Sequence, residues 1–189
     1  MREPRPVVLS GRWATLEPLS TIHVPDLVAA GGDPELWRWM SAQPRSQQQM
    51  QELVLAALAE PGRLAFAVMV DGRAEGSTSY LDVDAALGGL EIGWTWYARP
   101  LWATRVNPQC KLLLLTHAFE DLGCERVTLK TDRRNTRSQA AIHKLGARYD
   151  GTLRHQRRRP DGTVRDACYF SMLASEWPVA RDRLQARVG

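Results

Sequence analysis

No run of this 189-residue chain approaches the roughly 20 consecutive apolar residues that a membrane-spanning helix requires. The opening residues, MREPRPVVLSGR, contain no continuous apolar segment of the signal-peptide kind. Cysteine is scarce: Cys110, Cys124 and Cys168 are odd in number and far apart, which suits neither a disulfide framework nor metal-ligand spacing. These absences point to a reducing, cytoplasmic setting with no membrane and no metal. Lysine is scarce too, with only Lys111, Lys130 and Lys144 among 25 basic residues. That bias is a matter of composition and carries no functional reading. There is no internal repeat and no low-complexity tract, so solenoids and fibrous folds are excluded.

What is present is an ordinary globular balance, 44% hydrophobic and 24% charged, over a length that suits one domain spanning residues 1–189. The formal charge of +4 hides an asymmetry. Residues 1–125 carry 10 Lys/Arg against 15 Asp/Glu, and residues 126–189 carry 15 against 6. A basic final third either attracts phosphates or an acidic partner, or is simply a solvated surface.

The residue pattern predicts a strand at Trp13–Pro18, then a helical region in which Asp33-Pro34 forms a cap and first turn. Ser46 to Glu60 is a second helix, stopped by Pro61-Gly62. Leu64–Val70 and Glu75–Val83 flank Asp71-Gly72, a hairpin signal. Gly88-Gly89 turns into a strand over Leu90–Tyr97. Asn107 to Leu122 is the clearest helix, with Asn107 as N-cap, Pro108 in the first turn and Gly123 beyond its end. Arg126–Lys130 reads as a short strand. A helix opens at Asn135 or Thr136 and stops at Gly146. Tyr149–Arg158 and Thr163–Leu173 flank Pro160-Asp161-Gly162 as a second hairpin, and the tail is a short helix. The order predicts an α/β (α+β) domain with a mixed sheet of about seven strands, not an alternating doubly wound one.

The chemistry-bearing unit is the strand at 90–97, its loop at 98–106 and the helix that follows. A loop feeding a helix N-terminus presents unpaired N–H groups and partial positive charge, which suits phosphate. The next unit repeats the plan: a strand ending Lys130-Thr131-Asp132, then Asn135-Thr136-Arg137-Ser138 and a helix closing on Leu145-Gly146. Asn135 either reaches a ligand at the mouth between the two strands or caps its own helix, and both roles are compatible.

Glu91-Ile92-Gly93-Trp94, the span Trp102 to Lys111, and Asn135-x-x-Ser138 closing on Leu145-Gly146 together resemble the GNAT superfamily of N-acetyltransferases. The branch containing the ribosomal-protein N-terminal acetyltransferases is the most similar. The element order is also that family's, so the resemblance covers nearly the whole chain. It implies a mostly antiparallel sheet with two strands splayed to admit acetyl-CoA. The pyrophosphate would rest on Thr104, Arg105, Val106 and Asn107, with Asn135 and Ser138 nearby. It also implies direct attack of a neutral amine on the thioester, with the oxyanion held by a backbone N–H around Trp96 and Tyr97. A base must first deprotonate the ammonium, and Glu91 is the candidate, directly or through a water. The other reading of Glu91 is a structural hydrogen bond. Strict alternation groups Glu91 with Gly93, Thr95 and Tyr97, unless a bulge intervenes.

Two departures from the family pattern stand out. The family's loop usually reads Gln/Arg-x-x-Gly-x-Gly/Ala, whereas Trp102-Ala103-Thr104-Arg105-Val106-Asn107 has no glycine, and a Cβ restricts such a loop. Arg105 either compensates by contacting a phosphate or points into solvent. Many relatives also place a tyrosine in the last of these helices to protonate the leaving thiolate, and that place is Ile142. Ser138 is the remaining candidate for assisting the thiolate, against a plain helix-start role. His117 and His143 read as surface or packing histidines, and Cys110 as a small buried residue. His155, among Arg154 and Arg157–Arg159, is a candidate for the acceptor side. Trp37 and Trp39 either shape the acceptor pocket or pack in the core.

Three function classes follow. The first is an acetyl-CoA-dependent N-acetyltransferase acting on a primary amine, either a protein N-terminus or a small molecule. The second is an acyl-CoA-binding module without catalysis. The third is an RNA-associated protein using the Arg154–Arg165 hairpin, which lacks the interleaved aromatics that stack bases, so a nucleic acid is not expected. A homodimer stays open.

Overall fold

A computed structural model describes residues 1–159 and 161–189. Strands β1 (Leu9–Ser10) and β2 (Thr15–Pro18) are followed by helices α1 (Val24–Ala30) and α2 (Gln47–Ala59). Then come β3 (Leu64–Val70), β4 (Arg73–Asp84), β5 (Gly89–Tyr97), α3 (Val106–Thr116), β6 (Arg126–Asp132), α4 (Thr136–Leu145), β7 (Arg148–Arg158), β8 (Val164–Leu173) and α5 (Trp177–Val188). The local signals act as expected at several boundaries. Ser46 caps α2 by accepting the Gln49 N–H at 3.2 Å, and α4 ends on Gly146 at φ +96°. Asp33 accepts the Glu35 N–H at 2.9 Å, but the turn it opens, Pro34–Trp37, is a short 3-10 helix. Of the predicted Pro160-Asp161-Gly162 turn, Pro160 lies outside the described residues, and Asp161 Oδ1 accepts the Thr163 N–H at 2.9 Å.

Among the described residues the sheet has eight strands in the order β1-β2-β3-β4-β5-β6-β8-β7, not seven. The extra strand is the two-residue β1, paired with Leu16 and Thr15, and too short to leave an alternation in the sequence. Every neighbouring pair is antiparallel except β5 and β6. On one face α3, α4 and α5 bury Cys110, Leu114, Ile142, Leu145 and Leu184 against Phe66, Tyr80, Val127 and Phe170. On the other, α1 and α2 bury Leu27, Met50 and Val54 against Ala65, Ala67 and Trp96. Each fully buried leucine in these layers contributes about 1.5–3 kcal/mol, so the two faces together clamp the sheet from both sides.

Helix α3 begins two residues earlier than predicted. Arg105, not Asn107, is the N-cap, and it offers no side-chain hydrogen bond to the first turn. Asn107 sits inside the first turn, where its side-chain oxygen accepts the Tyr97 hydroxyl at 3.0 Å. Tertiary pairing with β5 has taken the side chain that local capping would have used. The helix also widens into a π turn over His117–Asp121, with the Leu122 N–H donating to the His117 carbonyl at 2.9 Å.

Strand β5 carries the bulge that decides which side chains share a face. Ser77 opposes Trp96 and Ser79 opposes Gly93, so Thr78 alone faces both Trp94 and Thr95. Trp94 takes φ +50°, a conformation that costs a non-glycine residue about 1–3 kcal/mol and persists only where packing enforces it. Before the bulge, Leu90 and Ile92 pack toward α3; after it, Tyr97 does so and Trp96 packs toward α1 and α2. Strict alternation therefore fails as a guide: Trp96 joins the face of Glu91, and Tyr97 leaves it.

Gly76 on β4 makes the bulge possible, because a Cβ there would run into the Trp96 carbonyl oxygen and lie 3.0 Å from the Tyr97 Cα. Gly76→Ala is expected to destabilise the fold by about 1–3 kcal/mol, read as a lower urea midpoint at unchanged slope. An unaltered midpoint would mean that the two strands separate freely here.

Candidate active site

Parallel strands β5 and β6 pair at Gly89↔Arg126, Leu90↔Val127 and Glu91↔Thr128, and no further. Both strands continue, to Tyr97 and Asp132 respectively, so they open as a V whose vertex is Glu91. Along β5 the N–H groups alternate in direction. The Ala98 N–H donates to Glu75 on the β4 side at 2.8 Å, which turns the Tyr97 N–H toward the open side. The Tyr97 carbonyl accepts the Trp102 indole N–H at 3.1 Å. Of the two amides singled out from the sequence, Tyr97 faces the gap and Trp96 faces β4.

At the vertex, Glu91 is 3% exposed and its carboxylate lies 2.7 Å from the Lys130 ammonium of β6. Lys130 also reaches the exposed Asp82 at 3.5 Å. Gly93 leaves room for this group, since a Cβ there would lie 2.6 Å from Glu91 Oε1. Burial pushes the Glu91 carboxyl above its ordinary range; the hydrogen bond and charge of Lys130 pull it partly back, and the charge of Asp82 adds to the rise. Burial pulls Lys130 down, but its bond to Glu91 and the charges of Glu91 and Asp82 outweigh that and hold it above its usual value. The vertex is thus a buried carboxylate with a raised proton affinity and a fixed cation beside it. Sequence reasoning missed Lys130, although parity along β6 puts it on the face of Thr128, which pairs with Glu91.

The first lip of the V is the loop before α3. Ala103 takes φ +62°, whereas Arg105, where the family pattern has its first glycine, has φ −76°. The conformational freedom of glycine is therefore not needed at that place. Thr104 Oγ1 donates to the Leu101 carbonyl at 2.7 Å and accepts the Val106 N–H at 3.3 Å. Arg105 is exposed and stacks on the Trp13 ring at 4.9 Å, opposite Arg12 at the same distance. Trp102 is held between Arg99 at 4.3 Å and Arg137 at 3.3 Å. Arg137 belongs to α4, on the other lip, so this cation–π contact spans the mouth. It was not singled out in the sequence, where it was one of the two unspecified residues between Asn135 and Ser138. A helix N-terminus ringed by guanidinium groups, with its Val106 N–H held by Thr104, fits a polyphosphate.

On the second lip Asn135 caps α4 by accepting the Ser138 N–H at 3.1 Å. That leaves its side-chain NH2 without a partner among the described residues. Ser138 is half-buried one turn into the helix, and Ile142 is 6% exposed within the main core. The other candidates resolve as packing. His117 stacks on Tyr80, Cys110 is buried with its thiol pushed up to about 12, and Trp37 packs on Trp96 at 4.8 Å. His143 contacts Phe170 edge-on at 5.0 Å. Trp39 is half-buried under Arg38, and His155 is exposed on β7, its N–H donating to Asp166 at 3.0 Å. Among the described residues no group of acidic, histidine and cysteine side chains could hold a metal.

A V-shaped gap between two parallel strands, with a helix N-terminus at one lip, is the layout of an acyltransferase fold. Residues 14–148 match the family described as "Acetyltransferase (GNAT) domain", and the chain belongs to that family. It is 38% identical to a T. thermophilus protein provisionally named an acetyltransferase, whose solved structure superposes with a TM-score of 0.92 over 98% of this chain and 99% of that one. YdaF of Bacillus subtilis (strain 168), provisionally named a ribosomal N-acetyltransferase, is 25% identical over 75% of this chain and 78% of its own. RimJ of Mycobacterium smegmatis, solved with CoA-disulfide, shares the fold at 22% identity, with a TM-score of 0.80 over 95% of this chain and 90% of that one.

Lys111 lies behind the bulge, 6% exposed, its ammonium 3.0 Å from the Thr95 hydroxyl, which is itself 2.8 Å from Thr78. Burial lowers its pKa to about 8. The unfolded chain holds this proton up to the ordinary lysine range, so between the two values unfolding takes up a proton and stability rises with pH. Below pH 8 the full cost applies, about 3 kcal/mol by linkage. Lys111→Met is therefore expected to be more stable than the parent at pH 7, with the advantage shrinking between about pH 8 and 10.5. Urea unfolding at both ends of that range reads it, and a pH-independent difference would show that Lys111 does not titrate there.

Proposed function

We propose that this chain is an acetyl-CoA-dependent N-acetyltransferase that moves an acetyl group to a primary amine by direct attack, acting as one domain in the cytoplasm. The observation that carries the reading is the end of β5–β6 pairing at Glu91, with a buried carboxylate at the vertex. Acetyl-CoA would lie with its pyrophosphate on the turn formed by Thr104, Arg105, Val106 and Asn107, its oxygens replacing the Thr104 hydroxyl as acceptor of the Val106 N–H, and the side chain of Asn135 would reach it from the other lip. The thioester carbonyl would take the Tyr97 N–H, which supports the growing oxyanion better than the ground-state carbonyl. Glu91 removes the proton of the incoming ammonium, because only the neutral amine is a nucleophile. The thiolate would leave near Ser138, one helical turn before the apolar Ile142 place. The acceptor is a protein N-terminus or another primary amine, as the provisional ribosomal naming of YdaF suggests.

A second reading, an acyl-CoA-binding module without turnover, draws on two observations. Ile142 is sealed in the core, and Glu91 is already engaged by Lys130. Release of free CoA thiol across a panel of amines separates the two. Thermal stabilisation by acetyl-CoA with no amine-dependent thiol release would favour the module.

Glu91→Gln should cut turnover at least tenfold while leaving acetyl-CoA binding intact. In Lys130→Met the cation that lowers the Glu91 pKa is gone, so the acidic limb of the rate–pH profile should move to higher pH. Turnover by Glu91→Gln that matches the parent at every pH would remove Glu91 from the mechanism.

A further inference from the structure

The face of the sheet that carries Glu91 also carries two guanidinium groups that the reaction above does not use. Arg165 of β8 and Arg157 of β7 are directly opposite in the antiparallel ladder. Like charges in that position repel, so the pairing costs stability unless an anion joins it. Asp132↔Ala167 and Lys130↔Tyr169 pair across β6 and β8, which puts Arg165, two residues from Ala167, on the face of Lys130 and Glu91. Arg165 is close enough to Asp132, Arg157, Tyr169 and Glu91 for their charges to act on it.

Among the described residues no carboxylate forms an ion pair with either of these cations. Glu91 is engaged by Lys130 at 2.7 Å, Asp132 by Arg159 at 2.7 Å and Asp166 by Arg133 at 3.7 Å. The Arg165 Nε is shut off from solvent and has no hydrogen-bond partner among the described residues. Arg157 reaches only the Ser41 hydroxyl, at 3.4 Å, on the segment that leads into α2. A buried guanidinium nitrogen without an acceptor is costly, and a planar carboxylate is the group that satisfies such a fork.

We propose that Arg165 and Arg157 form a carboxylate subsite of the acceptor cleft, selecting peptide N-termini with an acidic side chain among their first few residues. The inference rests on the acetyltransferase reading, since it assigns the acceptor of that same site. Distance argues for a peptide over a free amino acid. Tyr169, level with Lys130, is four residue steps along the strand from Arg165, about 13 Å of backbone. Side-chain reach shortens that span, but an α-carboxylate next to the reacting amine is too close to bridge it. An extended peptide advances about 3.3–3.6 Å per residue and covers the span within a few. The layout is also dipolar: the ammonium end meets Glu91 while the acidic end meets Arg165.

The test uses the full chain, acetyl-CoA and peptide amides that differ only in Glu, Gln or Lys at the third residue, with free glutamate as a further acceptor. The Glu peptide should exceed the Gln peptide by about tenfold in kcat/KM, mainly through KM, and the Lys peptide should be the poorest. Arg165→Met should bring the Glu peptide down to the Gln peptide, and Arg165→Lys should restore part of the difference. Arg154→Gln removes the same charge from the exposed part of the hairpin and should keep the preference. Equal use of the Glu and Gln peptides would overturn the proposal, as would free glutamate matching the Glu peptide. So would Arg165→Met acting on the KM of acetyl-CoA instead, or Arg154→Gln erasing the preference. Fluorescence anisotropy of labelled peptides with CoA present measures the same preference as a Kd. A chain that binds the Glu peptide selectively yet acetylates nothing would therefore sink the acetyltransferase reading while upholding the subsite.

Discussion

Two parallel strands that share hydrogen bonds at three residue pairs and then part must leave backbone groups of both inner edges without each other as partners. Buried N–H and C=O groups demand satisfaction, so such a gap persists only where side chains or a ligand supply it. Here part of the supply is internal: the Trp102 indole takes the Tyr97 carbonyl. The Tyr97 amide is left facing the gap, beside an α3 N-terminus whose N-cap residue, Arg105, offers no side-chain acceptor. Donors therefore line the opening, and an acyl carrier rich in carbonyl and phosphate oxygens is the matching ligand.

The vertex and the bulge follow from the same constraint. The strands can part only if β5 curves away from β6, and the two-for-one pairing of Trp94 and Thr95 against Thr78 bends it. Gly76 admits the bend from one side, and Gly93 leaves space for the Glu91 carboxylate. Lys130 then has a double effect. It keeps a buried carboxylate from being an uncompensated charge, and it holds that carboxylate's proton affinity below what burial alone would impose. The ion pair and the proposed base are one device, so the structural and the catalytic readings of Glu91 do not exclude each other.

Much of the scaffold was legible in local chemistry. Ser46, Asn135 and Gly146 stand at helix ends because capping depends on a few adjacent residues, and Asp71-Gly72 turns its hairpin for the same reason. The misreadings share one cause. Asn107 has every local qualification for an N-cap, yet Tyr97, ten residues earlier, holds its side chain. The faces of β5 could not be read by alternation because the bulge is set by the partner strand. Two-residue β1 leaves no periodicity to detect.

The order of elements and the segments that flank the cleft are written in short patterns of caps, turns and apolar spacing, and the motifs from Glu91 to Gly146 carry the resemblance to the family. What each polar side chain meets depends on how the strands and helices pack. Lys130 lies 39 positions from Glu91, Arg137 lies 35 from Trp102, and Arg157 lies 116 from Ser41. Contacts over such separations are set by strand register and by the crossing of the two lips, which no local pattern encodes. That is why local patterns mark the place of the cleft but not its charges, the buried pair at the vertex and the facing guanidinium groups of Arg157 and Arg165.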